Sequence, residues 1–195
     1  MEFCITQTWN GENINHAPVK VKIAPNSTND LKLSVDAPYF GDPPAPDGPS
    51  GLPFPQLWNY EVVELFLLND DDRYMEVELC PHGQHLVLLL NGIRNIVKDE
   101  LPIQYKASIE GSRWSGEALL PLDYLPPNVN RMNAFAIHGS ENNRVYEALH
   151  PANTSFTDPD FHRLEFFQPL NLSFVPAYNP STVTKTWRSI LEDQS

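Results

Sequence analysis

Three glutamates interrupt two apolar runs near the middle of the chain, and their spacing is the first indication of chemistry. Glu64 lies in the run EVVELFLL, and Glu76 and Glu78 lie in the next run, YMEVELC. Adjacent strands can hold carboxyl groups close together, as in the acid pairs of glycosidases. Carboxylates can equally accept hydrogen bonds from the hydroxyl groups of a bound ligand. The pattern therefore indicates a binding site or a catalytic pair and does not decide between them.

Strand alternation places these acids on one face of a sheet. Side chains alternate across a strand, so Glu64 shares a face with Phe66, and Glu76 and Glu78 share one with Tyr74. The opposite face is apolar throughout and reads as core. This suits a sandwich sheet with one face packed on a second sheet and the other open to a ligand, although a solvated polar face would give the same pattern.

Aromatic and histidine side chains extend the candidate site. Their rings offer flat apolar surfaces with polar edges, which suit stacking on sugar rings or aromatic ligands. No nucleophile elbow, P-loop, dinucleotide fingerprint or zincin helix occurs, so no catalytic residue is assigned. The predicted ligand-binding residues are Trp58, Tyr60, Glu64, Glu76, Glu78, Glu117, His138 and Tyr146.

Two short segments have some of the donors that metals prefer. His82 and His85 are separated by two residues, and Asn69 begins a run of oxygen donors that continues through Asp72. Zinc sites with four protein ligands normally show cysteines or helical histidine spacing, and the glycine and terminal glutamate of an EF-hand loop are missing. The sequence therefore assigns no metal ligand and no cofactor.

The rest of the chain predicts an all-β protein, an antiparallel β-sandwich with little helix. Many short strand-like runs recur at roughly 8 to 12 residue spacing between Gly, Pro, Asn and Asp turns. Short helical turns are expected only near 122–125 and 186–191. The predicted strands are 3–9, 19–24, 31–37, 62–68, 74–80, 85–90, 103–109, 113–119, 133–138 and 145–148.

Two segments depart from this regular spacing of strands. Residues 38–55 contain seven prolines and cannot form a central strand, so they predict a long Pro-rich loop folded as a lid over one end or face. Residues 176–195 predict a polar, mobile C-terminal tail in which Trp187, Ile190 and Leu191 can dock as one helical turn. The domain prediction is one sandwich over 1–175 followed by this tail.

Charge and composition exclude several partners. The chain has 13 Lys and Arg against 25 Asp and Glu, a net charge of -12 that repels phosphate backbones and anionic membranes. We therefore predict no nucleic-acid partner and no membrane partner. The absence of an export signal at the start and of a long apolar span predicts a cytoplasmic protein. Cys4 and Cys80 are predicted to be buried free thiols.

Three stretches carry a resemblance to a known family. LWNYEVVELFLLNDDDRYMEVELCPHGQHLVLLLNG, RWSGEALLPLDYLPP and NAFAIHGSENNRVYEALHP resemble the uncharacterised family that includes the chromosome four open-reading-frame thirty-three protein. A looser resemblance is to carbohydrate-binding module family nine and its DOMON-like relatives. It rests on Trp58 followed by Glu64, on Pro81-His82-Gly83, on the strand from Trp114 to Pro121, and on Pro159 to His162. This second resemblance implies an antiparallel β-sandwich and sugar binding.

The resulting functional hypothesis is a binding module for a carbohydrate-like small molecule on the acidic and aromatic face. One alternative is an enzyme that uses a glutamate with His138 or His150 as acid and base on a small sugar-like metabolite. The other is a protein-interaction module with a protein partner at the Pro-rich loop or at an exposed strand edge.

Overall fold

The structure, a computed structural model, describes residues 1–26 and 29–193. It confirms the all-β prediction. The strands are β1 Glu2–Ile5, β2 Gln7–Thr8, β3 Val19–Pro25, β4 Asp30–Pro38, β5 Val62–Leu68, β6 Arg73–Leu79, β7 His85–Asn91, β8 Ile96–Lys98, β9 Gln104–Glu110, β10 Arg113–Pro121, β11 Arg131–His138, β12 Val145–Ala148 and β13 Gln168–Pro169. The α-helix is α1, Lys185–Glu192, and 3-10 turns lie at Leu57–Asn59, Leu122–Tyr124, Glu141–Asn143 and Leu164–Phe166.

These strands form two antiparallel sheets packed face to face. The smaller sheet has the order β1-β3-β4-β10-β9. The larger sheet has the order β2-β12-β11-β5-β6-β7-β8, and β13 pairs with β11. Two of these strands, β8 and β13, were not predicted because they are only three and two residues long. Such short pairings carry no alternating pattern from which a strand can be recognised.

The central strands of the larger sheet are buried on both faces. Val63, Leu65 and Leu67 face the smaller sheet and join the main core, as alternation predicted. The other face carries a second apolar cluster around Phe66, which the chain between 159 and 167 covers. The reading of this face as a solvated polar surface is therefore wrong. The chain between 159 and 167 is irregular and has no periodic pattern from which its position could be predicted.

The C-terminal segment is tied to the sandwich more firmly than the predicted mobile tail. Trp187 is fully buried in the main core, and its indole Nε1 donates to the Tyr124 carbonyl at 2.9 Å. Thr184 caps α1 by accepting from the Trp187 backbone N–H at 3.3 Å. Residues 194 and 195 of the predicted tail lie outside the described residues. The docked helical turn expected from the sequence is thus present as α1.

The Pro-rich loop folds along one end of the sandwich. Its backbone pairs with the β6–β7 turn, since Gly51 N–H donates to the Gly83 carbonyl at 2.8 Å and Phe54 N–H to the His85 carbonyl at 2.9 Å. The Gln84 side chain donates to the Gly48 carbonyl at 2.6 Å. These bonds confirm a packed loop and place it at the end of the large sheet.

The two cysteines differ in their exposure to solvent. Both cysteines are free, but Cys4 is exposed, so the prediction that both are buried holds only for Cys80. Cys4 lies on an edge strand whose outward side chains face solvent. Among the described residues, no helix has the length and apolar content that crossing a bilayer requires.

Candidate functional site

A cavity of about 630 Å³ opens on the outer face of the larger sheet. Strands β5, β6 and β7 form its floor. Its walls come from the 3-10 turn after the Pro-rich loop, from the β11–β12 connection and from the chain at 159–162. We call it the outer-face cavity. The residues that line it include Trp58, Asn59, Glu64, Phe66, Glu76, Leu88, Arg94, Ile137, Glu141, Arg144, Tyr146, Asp160, Phe161 and His162.

Carboxyl groups lie at the floor of this cavity. Glu64 and Glu78 are directly opposite each other in the β5–β6 ladder, and Glu76 lies opposite Phe66. All three glutamates are buried. Among the described residues, Glu76 Oε2 and both Glu78 oxygens have no hydrogen-bond partner outside this group of carboxyls. We call these three residues the carboxyl cluster; Glu64 and Glu76 line the cavity, and Glu78 is buried beside them.

Burial keeps the carboxyl cluster protonated to unusually high pH. It raises the pKa of Glu76 to about 8, although Arg94 acts in the opposite direction. Burial also raises the pKa of Glu64 and Glu78 well above the usual value, and the neighbouring carboxyls add to the shift. A protonated carboxyl can donate as well as accept a hydrogen bond. The cluster thus offers both kinds of polar contact at neutral pH.

Arg144 joins two walls of the cavity. Its guanidinium donates to the carbonyl oxygens of Trp58, Asn59 and Gly139, the latter two at 3.0 Å. Its charge also favours the ionised form of Glu64. Arg144 therefore fixes the turn that carries Trp58 to the β11–β12 connection.

The opposite wall is held by Arg94 and by a histidine. Arg94 forms an ion pair with Asp160 at 2.7 Å. The Tyr74 hydroxyl accepts from the Arg94 backbone N–H at 3.0 Å and lies 2.6 Å from His162 Nδ1. Burial lowers the pKa of His162 to about 4, so its imidazole is neutral at pH 7 and its Nδ1 can accept a hydrogen bond from the Tyr74 hydroxyl.

Aromatic rings complete the cavity. Trp58 is 38% exposed although it is among the largest apolar side chains of the protein. Phe161 stacks on Phe135 with ring centroids 3.9 Å apart, and Tyr146 meets Phe161 edge to face at 5.9 Å. The rings of Phe161 and Tyr146 are therefore held by packing, whereas the Trp58 ring is open to solvent.

The structure brings together only part of the predicted site. Trp58, Glu64, Glu76 and Tyr146 line the cavity, and Glu78 lies beside the first two carboxyls. Tyr60 packs on Phe54 against the outer apolar cluster instead of lining the cavity.

Two predicted residues lie elsewhere. Glu117 is on β10 in the smaller sheet, where it is exposed and pairs with Lys32. His138 lies on the inner side of the larger sheet, where its Nε2 is 2.9 Å from Glu147 Oε1. The grouping of these two residues with the acidic face is corrected because alternation assigns a face within a strand but not the sheet or the end to which it belongs.

Sequence reasoning missed several polar or aromatic side chains of the walls, among them Arg94, Arg144, Phe161 and His162. They come from turns and irregular chain, which carry no periodic pattern. Only the resemblance to carbohydrate-binding module family nine pointed to the stretch from Pro159 to His162. The Pro-rich loop, expected as a lid over a site, contributes no residue to the lining of the outer-face cavity.

The two segments considered for metals have other partners. His82 contacts the Tyr39 hydroxyl at 3.2 Å, whereas His85 is buried and accepts from the Ile103 N–H at 3.4 Å. Asn69 closes its own turn by accepting from the backbone N–H groups of Asp71 and Arg73, each at 3.0 Å. These contacts fit a structural role for both segments.

The two sheets and their connections define an antiparallel β-sandwich, a fold that two solved structures share. A Bacteroides uniformis protein described provisionally as carbohydrate-binding aligns with a TM-score of 0.62 at 14% identity, over 87% of this chain and 84% of that chain. A family 9 carbohydrate-binding module of Caldicellulosiruptor kristjanssonii, solved in complex with cellotriose, aligns with a TM-score of 0.51 at 13% identity, over 86% of this chain and 76% of that one. At such identities the likeness establishes the fold alone.

Sequence comparison identifies the family. No family model matches the chain. The UPF0462 protein C4orf33 homolog of Mus musculus is 54% identical over 178 residues, which are 89% of this chain and 92% of the mouse protein. UPF0462 protein C4orf33 of Homo sapiens is 49% identical over 178 residues, 89% of each chain. The chain belongs to the UPF0462 C4orf33 family, as its sequence motifs predicted.

Proposed function

We propose that the outer-face cavity binds a small polyhydroxylated ligand of carbohydrate type. The observation that carries this proposal is the combination of an aromatic wall with a buried carboxyl floor in one open cavity of about 630 Å³. Binding cavities for small molecules are commonly of this size and combine an apolar lining with few convergent polar groups.

The chemistry of the lining suits a sugar better than an anion or a purely apolar molecule. Sugar rings present apolar C–H faces that stack on rings such as Trp58 and Phe161. Their hydroxyl groups both donate and accept, which matches protonated carboxyls beside the guanidinium of Arg144. An anionic ligand would be opposed by the ionised fraction of the carboxyl cluster, and a purely apolar ligand would leave its oxygens unpaired. The cellotriose held by the family 9 module of similar fold adds a reason to begin with glucans.

Titration calorimetry with glucose, cellobiose and cellotriose tests the proposal. We expect saturable binding of at least one of them to the intact protein. Trp58→Ala should weaken that binding by about 2- to 10-fold, because an aromatic contact contributes about 0.5–1.5 kcal/mol beyond its buried area. Glu64→Gln should weaken it as well, since the amide keeps one acceptor oxygen where both oxygens of the carboxyl can accept.

Glu117→Gln is the matched control for Glu64→Gln. It makes the same chemical change on the exposed side of the other sheet and should leave the affinity unchanged. If Glu117→Gln and Glu64→Gln change the affinity equally, or if an extended panel of mono- and oligosaccharides shows no binding, the proposal fails.

A second candidate function follows from the pKa of Glu76. A carboxyl that stays protonated near neutral pH beside a cavity meets the requirement for a general acid, and His162 is a neutral base in the same lining. Slow hydrolysis of aryl glycosides that Glu76→Gln abolishes would favour an enzyme. Binding without turnover would favour the binding module.

A further inference from the structure

Three side chains distant in sequence converge where the chain crosses from the larger sheet to the smaller one. His16 lies in the connection between β2 and β3, His138 ends β11, and Glu147 lies in β12. The two imidazole nitrogens and the carboxylate oxygen that they offer all lie within 4.8 Å of one another. The group lies on the inner side of the larger sheet, away from the outer-face cavity.

The hydrogen-bond geometry leaves two acceptors facing each other. His16 Nδ1 is 3.0 Å from the Ala17 carbonyl oxygen, which can only accept, so this nitrogen carries the proton. A neutral ring then presents the lone pair of Nε2, and that atom lies 2.8 Å from Glu147 Oε1. His138 Nε2 points to the same oxygen at 2.9 Å. A lone pair facing a carboxylate oxygen requires either an additional proton or a cation between them.

Burial of Glu147 increases the need for a proton or a cation between these atoms. The Glu147 side chain is fully buried, and its Oε2 has no hydrogen-bond partner among the described residues. A buried carboxylate is costly unless charge and hydrogen bonds compensate it. A metal ion would compensate the charge and would use both the unpaired oxygen and the lone pairs of the imidazoles.

An aromatic cover shields the three donors from solvent. The Phe40 ring stacks on His138 with centroids 3.6 Å apart and meets His16 edge to face at 5.0 Å. The Glu61 carboxylate holds this cover by accepting from the Phe40 and Gly41 backbone N–H groups at 3.1 and 2.8 Å. An apolar shell of this kind limits access of water and strengthens the binding of a cation to its ligands.

We propose that His16, His138 and Glu147 bind a divalent transition-metal ion, with Zn²⁺ as the first candidate. Two imidazoles and one carboxylate form a known three-residue zinc donor set that leaves a fourth position for water. Ligand atoms of a tetrahedral zinc site lie about 3.3 Å apart, so the nitrogen-to-oxygen separations would open by about half an ångström. The Nδ1 bond from His16 to Ala17 is the outer contact that orients a metal-binding histidine.

The consequence is a clamp between the larger sheet and the connection that leads to the smaller one. The ion would fasten the crossing chain at His16 to the paired strands β11 and β12 beneath the Phe40 cover. This proposal is independent of ligand binding in the outer-face cavity.

Metal content and metal-linked stability test it. The purified protein is stripped with a chelator and then titrated with Zn²⁺ in a calorimeter and with Co²⁺ in a visible spectrometer. We expect one Zn²⁺ per chain, a rise in Tm on adding zinc, and the visible absorption of four-coordinate Co²⁺. His16→Gln and Glu147→Gln should each weaken zinc binding at least about 10- to 100-fold, the loss that removal of even an outer contact causes.

His82→Gln is the matched control, because His82 lies outside the three donors and should leave zinc binding intact. His16 is only partly buried, so His16→Gln is the variant expected to fold even if Glu147→Gln does not. The wild-type cobalt spectrum requires no variant. The proposal is overturned if the stripped protein binds no zinc, if it shows no cobalt absorption, or if His16→Gln binds zinc as tightly as wild type.

Discussion

Glu64 and Glu78 lie directly opposite each other across the β5–β6 ladder, and both carboxyl side chains are buried. Like charges at paired positions of a sheet repel each other, and burial removes the water that would screen them. The pair is therefore compatible with the fold because protonation removes the charge. Protonation of this pair and of Glu76 lowers the negative charge at and beneath the floor of the outer-face cavity.

The contribution of Glu76 to the stability of the protein should fall as the pH rises from about 4.5 to about 8. Burial raises the pKa of Glu76 from 4.5 to about 8, so the native state binds a proton that the unfolded state has lost within this window. One such proton gives a slope of about 1.4 kcal/mol per pH unit. Urea unfolding at several pH values should show that Glu76→Gln gains stability relative to wild type as the pH rises. Equal slopes in the two proteins would contradict the raised pKa.

Arg144→Lys should loosen the wall that carries Trp58. Lysine keeps the charge but lacks the planar fork with which Arg144 donates to the carbonyls of Trp58, Asn59 and Gly139. We expect faster amide hydrogen exchange at 57–60 and a loss of about 1–3 kcal/mol in the free energy of unfolding. Arg113→Lys, which alters an ion pair in the smaller sheet, should change neither quantity by more than about 1 kcal/mol. Unchanged hydrogen exchange in Arg144→Lys would show that the Arg144 hydrogen bonds do not hold this turn in place.

Trp187→Ala should destabilise the whole sandwich. The indole is fully buried in the main core and also donates to Tyr124. Truncating a buried tryptophan costs about 3–5 kcal/mol. Ser189→Ala on the exposed side of the same helix should stay within about 0.5 kcal/mol of wild type in urea unfolding. A small loss for Trp187→Ala would mean that α1 is detached in solution.

The two thiols should differ sharply in reactivity. Cys4 is exposed, whereas Cys80 is buried, and burial raises the pKa of its thiol to about 12. Because the thiolate is the nucleophile, an aromatic disulfide reagent should modify one thiol per native chain and two per chain in denaturant. Cys4→Ser should abolish the native reaction. Persistent reaction of the Cys4→Ser protein would show that Cys80 is reached without unfolding.

Alternation predicted β5, β6 and the face on which Glu64 and Glu76 lie, and the short loop between the two runs predicted their pairing. It could not show that this face is buried, because the chain at 159–167 that covers it is irregular. The arginines of the cavity walls were missed for a related reason: their positions depend on how turns fold against strands far away in the sequence.

The three residues proposed to bind metal could not be predicted from local sequence pattern either. His16 and Glu147 are 131 residues apart, and their contact depends on the path of one crossing connection. Neither residue belongs to a motif with metal-ligand spacing. Local sequence pattern specifies strands and faces, whereas contacts of this separation arise only from the packed topology.

The strands of the larger sheet that are buried on both faces also affect the behaviour of the unfolded chain, because of their apolar composition. The segments 62–68 and 86–90 are apolar on both sides except at Glu64, a composition that promotes intermolecular strand association when the chain is unfolded. In that state Glu64, Glu76 and Glu78 are solvated and carry negative charge at neutral pH. The same carboxyls that become neutral in the native cavity are thus gatekeepers in the unfolded chain, where their repulsion opposes aggregation.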